Sequence, residues 1–118
     1  MGINTSTRLV NNIVIIDTIG ELRLGEGTDT VRRVVRGLLE EGYRNMLLNL
    51  RDVRHIDSSG VGELMSCYTS VRNQGGQLKL MNLSKNVHNL LQLTKLYTIF
   101  EVEEDERRAI ASFGKGST

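Results

Sequence analysis

Cysteine occurs once, proline not at all, and no run of apolar residues approaches the roughly 20 needed to span a bilayer. Each absence closes a class of explanation. The lone Cys67 can neither close an intramolecular disulfide nor build a multi-cysteine zinc site, which fits a reducing, cytoplasmic compartment. Without a basic-then-apolar leader or a spanning segment, the chain reads as soluble and unprocessed, with no membrane role. The missing proline identifies no function by itself, and no linker, repeat or low-complexity segment interrupts the chain. Fifteen basic against fourteen acidic side chains leave a net charge of +1, too little for the phosphate-backbone attraction of a dedicated nucleic-acid binder. Enzyme signatures are missing too. Gly60-Val61-Gly62 is too short for a phosphate-binding glycine loop, and Ser58 and Ser59 lack the preceding glycine of a nucleophile elbow. No carboxylate is placed to orient His55 toward Ser58, and His88 has no second ligand at metal spacing, so no catalytic, cofactor or metal residue is assigned.

What remains is the composition of one ordinary globular domain: 118 residues, 39% hydrophobic and 25% charged. An apolar run from Ile13 to Ile16, set off by Asn11-Asn12 from the stretch ending at Leu9-Val10, predicts a hairpin. Gly20, Gly25 and Gly27 mark a loop. Val31, Val34, Val35, Leu38 and Leu39 then recur at helical spacing, with Gly42 as the stop. Met46 to Leu50 reads as a short, nearly continuous apolar strand. Val61, Leu64, Met65, Tyr68 and Val71 form the stripe of a second helix, with Cys67 beside them, ended by Gly75-Gly76. Leu78 to Met81 is a strand, and Ser84 caps a third helix carrying Val87, Leu90 and Leu91. Tyr97 to Phe100 is expected as a short last strand. The acidic cluster of Glu101, Glu103, Glu104, Asp105 and Glu106 then opens a final helix with Arg107 and Arg108 further along, an order that suits the helix dipole. The polar tail from Gly114 to Thr118 is expected to fray. Strands alternating with helices predict an α/β domain: a mixed central sheet begun by a hairpin, with about four helices packed against it.

The seam Ile56-Asp57-Ser58-Ser59-Gly60-Val61-Gly62 carries the chemistry, because it places two hydroxyls at the start of a helix just after an apolar strand. A serine there is a natural helix cap, and one of the two is expected to serve as one. It is also an accessible phosphoryl acceptor. Two further short patterns, an acylation-like Met1-Gly2-Ile3-Asn4-Thr5-Ser6 and glycosylation tripeptides at Asn4 and Asn82, are of the kind that recurs by chance.

The succession of strand, Asp57-Ser58-Ser59-Gly60-Val61-Gly62, helix, Gly75-Gly76 and Leu78-Lys79-Leu80 resembles the sulfate transporter and anti-sigma factor antagonist (STAS) domain. More closely, it is similar to bacterial single-domain anti-sigma factor antagonists of the sporulation and general-stress type. The likeness runs end to end, through Gly20-Glu21-Leu22 and Leu93-Thr94-Lys95-Leu96, and implies a single domain over 1–118. It further implies a switch. The unmodified antagonist would bind an anti-sigma factor that is itself a serine kinase, and so release a sigma factor. Phosphorylation at Ser58, with Ser59 as the alternative, would end that binding, and a metal-dependent serine/threonine phosphatase would reset it. Asp57 would belong to the contact surface, with Ser59 and Gly60 shaping the turn. The chain departs from the family where an acidic residue commonly follows Gly-Glu-Leu: here stands Arg23, which would make it a specificity residue for a different or acidic partner. The competing expectation is a non-switching scaffold or ligand-sensing module within a larger signalling assembly.

Overall fold

The computed structural model describes residues 2–115, the last of these by its backbone alone. The chain runs β1 (Ile3–Val10), β2 (Ile13–Leu22), α1 (Glu26–Glu40), β3 (Asn45–Ile56), α2 (Ser58–Asn73), β4 (Gln77–Met81), α3 (Lys85–Leu93), a 3-10 turn (Leu96–Thr98), β5 (Val102–Glu103) and α4 (Glu106–Lys115). The strands lie in sequence order, β1 antiparallel to β2 and the other neighbours parallel. Parallel neighbours need crossovers of one hand, so α1, α2 and α3 all land on one face of the sheet. The turn from β1 to β2 takes Asn11 and Asn12 into the left-handed region, with φ of 49° and 72°, the geometry that favours asparagine in tight hairpins.

Two cores flank the sheet. The larger joins Val14, Ile16, Met46 and Leu48 to the apolar stripes of α1, α2 and α3. The smaller packs Ile13, Ile15, Leu47 and Met81 under Ala109 and Phe113 of α4. Adjacent residues of β2 point to opposite faces, both faces are covered, and this is why Ile13 to Ile16 is unbroken by polar residues. The expected stripe of α2 is buried at Val61, Leu64 and Val71, with Cys67 beside them. Helix α1 ends at Gly42, and α2 at Gly75, by backbone bonds back to the last carbonyls.

Several expectations need correction. Gly20 lies inside β2 and Gly27 in the first turn of α1, so the loop is shorter than the glycines suggested. Strand β3 continues past Leu50 to Ile56. It carries extra residues at two irregularities opposite Asp17–Ile19 and Gly20–Glu21 of β2, which break the alternation that a sequence pattern relies on. Tyr97 to Phe100 is not a strand. Tyr97 stands edge-on to His88 at 5.2 Å and Phe100 edge-on to Tyr68 at 5.5 Å, and these contacts coil the segment so that β5 forms only at Val102–Glu103. Only Glu106 of the acidic cluster falls in the first turn of α4. Asp105 precedes it and accepts the Arg108 N–H at 2.8 Å, while Glu101 reaches across to Lys79 at 2.7 Å. Gly114 and Lys115 complete α4; residues 116–118 of the expected tail, and Met1 of the acylation-like pattern, lie outside the described residues.

Candidate functional site

The site is the point where β3 hands the chain to α2. Asp57 is still extended, with φ −117° and ψ −177°, and α2 begins at Ser58. The cap is therefore Asp57, and neither serine. Its Oδ1 accepts the Gly60 N–H at 2.8 Å, and its Oδ2 accepts the Leu24 N–H, from the loop between β2 and α1, at 3.1 Å. A serine has one oxygen and cannot bridge two donors so well; a carboxylate can, and it also meets the positive end of the helix. Burial pushes the Asp57 carboxyl up, but the amides of Gly60 and Leu24, with those of Asp57 and Ser59, more than offset it, and the net displacement is below the ordinary 3.8. Asp57 thus ties two loops together at the rim of the sheet.

Gly60 is buried because α2 starts hard against β2. A side chain here would strike the Leu22 carbonyl oxygen and come within 2.8 Å of Ile56 Cγ1. Gly27 makes the same approach to the Glu21 carbonyl from α1, a constraint the sequence reading took for loop flexibility. Two helix starts therefore converge on the end of β2, and Ser58 stands at the outer side of that junction.

Ser58 is exposed and Ser59 half-buried. Among the described residues, no side-chain hydrogen bond engages either hydroxyl. Relieved of capping, the Ser58 hydroxyl is open to a partner. His55 is exposed, lines a shallow cleft with Ile56, Asn86, Asn89, Leu90 and Leu93, and makes no hydrogen bond to Ser58. Arg23 is half-exposed, its guanidinium 3.6 Å from Glu21. Beside it, Leu24 is 76% exposed, and Leu93, across the cleft, is 80% exposed. Sequence reasoning missed both leucines as surface anchors, although each left a trace: Leu24 stands alone among Arg23, Gly25 and Glu26, and Leu93 falls off the buried stripe of α3.

The structure thus brings Asp57, Ser58, Ser59 and Gly60 together on one rim, and the Asp57–Leu24 bond carries the loop holding Arg23 to the same place. Among the described residues, no group of three or more His, Cys, Asp or Glu side chains is placed to hold a metal ion, and no helix is long and apolar enough to cross a membrane.

The model of the STAS domain family matches residues 4–109. The anti-sigma-B factor antagonist of Bacillus subtilis (strain 168) is 30% identical over 102 residues, which is 86% of this chain and 92% of that protein. Among solved structures, a Thermotoga maritima protein assigned as an anti-sigma factor antagonist has a TM-score of 0.85 at 26% identity, over 92% of this chain and 93% of its own. The Bacillus cell-fate determinant SpoIIAA in its phosphorylated form shares the fold, with a TM-score of 0.70 at 22% identity, over 92% of this chain and 98% of its own. The relatives named as antagonists are regulators and not enzymes. With a family match from the first strand into the last helix, on a sheet of the same design, the chain belongs to the STAS domain family.

Proposed function

We propose that the protein is an anti-sigma factor antagonist whose unphosphorylated form binds an anti-sigma factor with serine kinase activity and thereby frees a sigma factor. Phosphorylation of Ser58 ends that binding, and a metal-dependent serine/threonine phosphatase restores it. The observation that carries the site assignment is the division of labour at the start of α2: Asp57 caps the helix, and Ser58 is left exposed with an unengaged hydroxyl. Ser59, half-buried one position further on, is the poorer acceptor. In the transfer, Ser58 Oγ bonds to the γ-phosphorus of the kinase's nucleoside triphosphate, the bond to the diphosphate breaks, and the hydroxyl proton passes to a base of the kinase. No base on this chain is required.

The switch follows from charge. A phosphoryl group adds about 1.5 to 2 negative charges at neutral pH. It is tolerated at a helix N-terminus in solution. Against a docked partner the new charge, beside the Asp57 carboxylate, must be desolvated, and a loss of about 1.4 to 2.8 kcal/mol already weakens binding ten- to a hundredfold. The flanking Leu24 and Leu93 offer apolar anchors and Arg23 a contact for an acidic residue of the partner.

Phosphopeptide mass spectrometry of the protein from its own cells, on the fragment from His55 to Arg72, tests the assignment. Phosphate on Ser58 that varies with growth condition is expected; a well-covered fragment never modified overturns it. In parallel, Ser58→Asp should lose binding to the anti-sigma factor and Ser58→Ala should bind throughout, both melting within a few degrees of the wild type. Equal binding by the two variants contradicts the switch.

A further inference from the structure

The outer edge of β1 is a second interaction surface, independent of the Ser58 reading. Strand β1 pairs with β2 along its whole length, Ile3 with Gly20 through Val10 with Ile13, without a register break. It has no neighbour on its other side. Exposed edges are commonly blunted by proline, lysine, a bulge or extreme shortness. Ile3–Val10 has none of these: it is eight residues long and its one charge is Arg8. That charge does not guard the edge. Its guanidinium is held by Asp17 at 2.7 Å and by Glu106 at 2.7 Å, over the face that α4 covers.

The hairpin settles which backbone groups face outward. In a two-residue hairpin the flanking pair, Val10 and Ile13, exchange hydrogen bonds, and the pattern alternates back along the strand. Val10, Arg8, Ser6 and Asn4 therefore turn their N–H and C=O toward β2, as does Gly2, whose carbonyl accepts the Glu21 N–H at 3.2 Å. Ile3, Thr5, Thr7 and Leu9 turn theirs outward.

We propose that two copies of this chain associate through antiparallel β1–β1 pairing about a two-fold axis at Ser6, joining the two sheets into one. The register is self-complementary. Thr5 meets the partner's Thr7 and Ile3 meets the partner's Leu9, all of them outward-facing residues, so these pairs form about eight hydrogen bonds by the antiparallel rule. Leu9, 59% exposed in the single chain, gains an apolar neighbour. Asn4 lies opposite the partner's Arg8, and no like charges face one another. A register centred on Arg8 would oppose two guanidinium groups. An edge pairing of this length buries less than the roughly 1,000 Å² of a stable interface, so the dimer is weak and concentration-dependent.

Sedimentation velocity on the full chain, from about 10 µM to about 1 mM, should show a reversible monomer–dimer equilibrium. Thr5→Pro removes an outward N–H while leaving the β1–β2 ladder intact, and should weaken dimerisation by about tenfold or more with the hairpin amide signals retained. Ser6→Cys tests the axis directly. Paired residues of the non-hydrogen-bonded kind have Cα atoms about 4.5 Å apart, within disulfide range, so mild oxidation should cross-link Ser6→Cys at least about tenfold faster than Asn4→Cys, which faces the partner's Arg8. Buried Cys67 gives no background. A protein monomeric throughout the range, a dimer undiminished by Thr5→Pro, or equal cross-linking of the two cysteine variants would each overturn the proposal; the last would mean chance encounter only.

Discussion

At the scale of the residue, the informative contrast is between Asp57 and Ser58. Neighbours in sequence, they are separated by a single step in backbone geometry: Asp57 is extended and its carboxylate is consumed by two amides, while Ser58 is helical and its hydroxyl is not used. Asp57→Ala should therefore cost about 1 kcal/mol or more in urea unfolding, through loss of the cap and of the tether to Leu24. Ser58→Ala should stay within about 0.5 kcal/mol of the wild type. Acidity gives an independent check. The Asp57 carboxyl titrates below its unfolded value of 3.8, so the unfolded chain binds more protons, and the stability contributed by Asp57 is present above that value and lost as pH falls through the folded one. Asp17 behaves likewise, its carboxyl lowered chiefly by the hydrogen bond from Arg8. Asp57→Asn retains a capping oxygen but not the charge, and should flatten the fall of melting temperature with pH below about 4. An unchanged acid limb would show that the Asp57 charge does not contribute.

At the scale of the element, α1 and α2 are joined by one polar contact inside an apolar interface. Arg32 of α1 reaches the buried Glu63 of α2 at 2.6 Å, and the other carboxylate oxygen lies 3.4 Å from Cys67 Sγ. Burial, and then the charge of Glu63, push the Cys67 thiol up to about 12. At pH 8 almost none of it is thiolate, the reactive form. A disulfide reagent at that pH should label Cys67 only as fast as the protein opens, and label it rapidly in denaturant. Rapid labelling of the native protein would mean that α2 is not packed as described. The element scale is also where the sequence reading was most dependable. Helices α1, α2 and α3 were legible because each repeats an apolar residue every three or four positions and ends in a glycine or begins at a capping side chain, all local signals. β3 beyond Leu50 was not legible, because its extra residues are defined only against β2.

At the scale of the whole molecule, α4 closes the second face of the sheet, and beneath it lies Lys79. The ammonium is 2.7 Å from Glu101, 3.0 Å from both the carbonyl and the hydroxyl of Ser112, and 4.8 Å from the centre of the Phe113 ring. Lysine is seldom this buried, and here the side chain is 3% exposed. Replacing such a charge by an apolar chain of similar length removes its desolvation cost together with its contacts, whereas removing its counter-charge leaves the cost in place. Lys79→Met should therefore unfold within about 1 kcal/mol of the wild type, and Glu101→Ala should be the more damaging of the two in denaturant titrations. The reverse order would show that the ammonium contributes more than its burial costs.

The amino-acid sequence by itself determined the order and kind of nearly every element, the single domain-sized core, and the seam at which strand gives way to helix. Periodicity, glycine stops and capping side chains act over a few residues and need no knowledge of what packs where. Only the tertiary structure decided that Asp57 rather than a serine caps α2, since the second half of that choice is the Leu24 amide, 33 residues away. It also decided which face α4 covers, how Lys79 is satisfied, and that β1 is left as an open edge. Each of these depends on contacts between segments distant in the chain, where an oxygen, a charge or a backbone group acquires its role from a neighbour that no local pattern names.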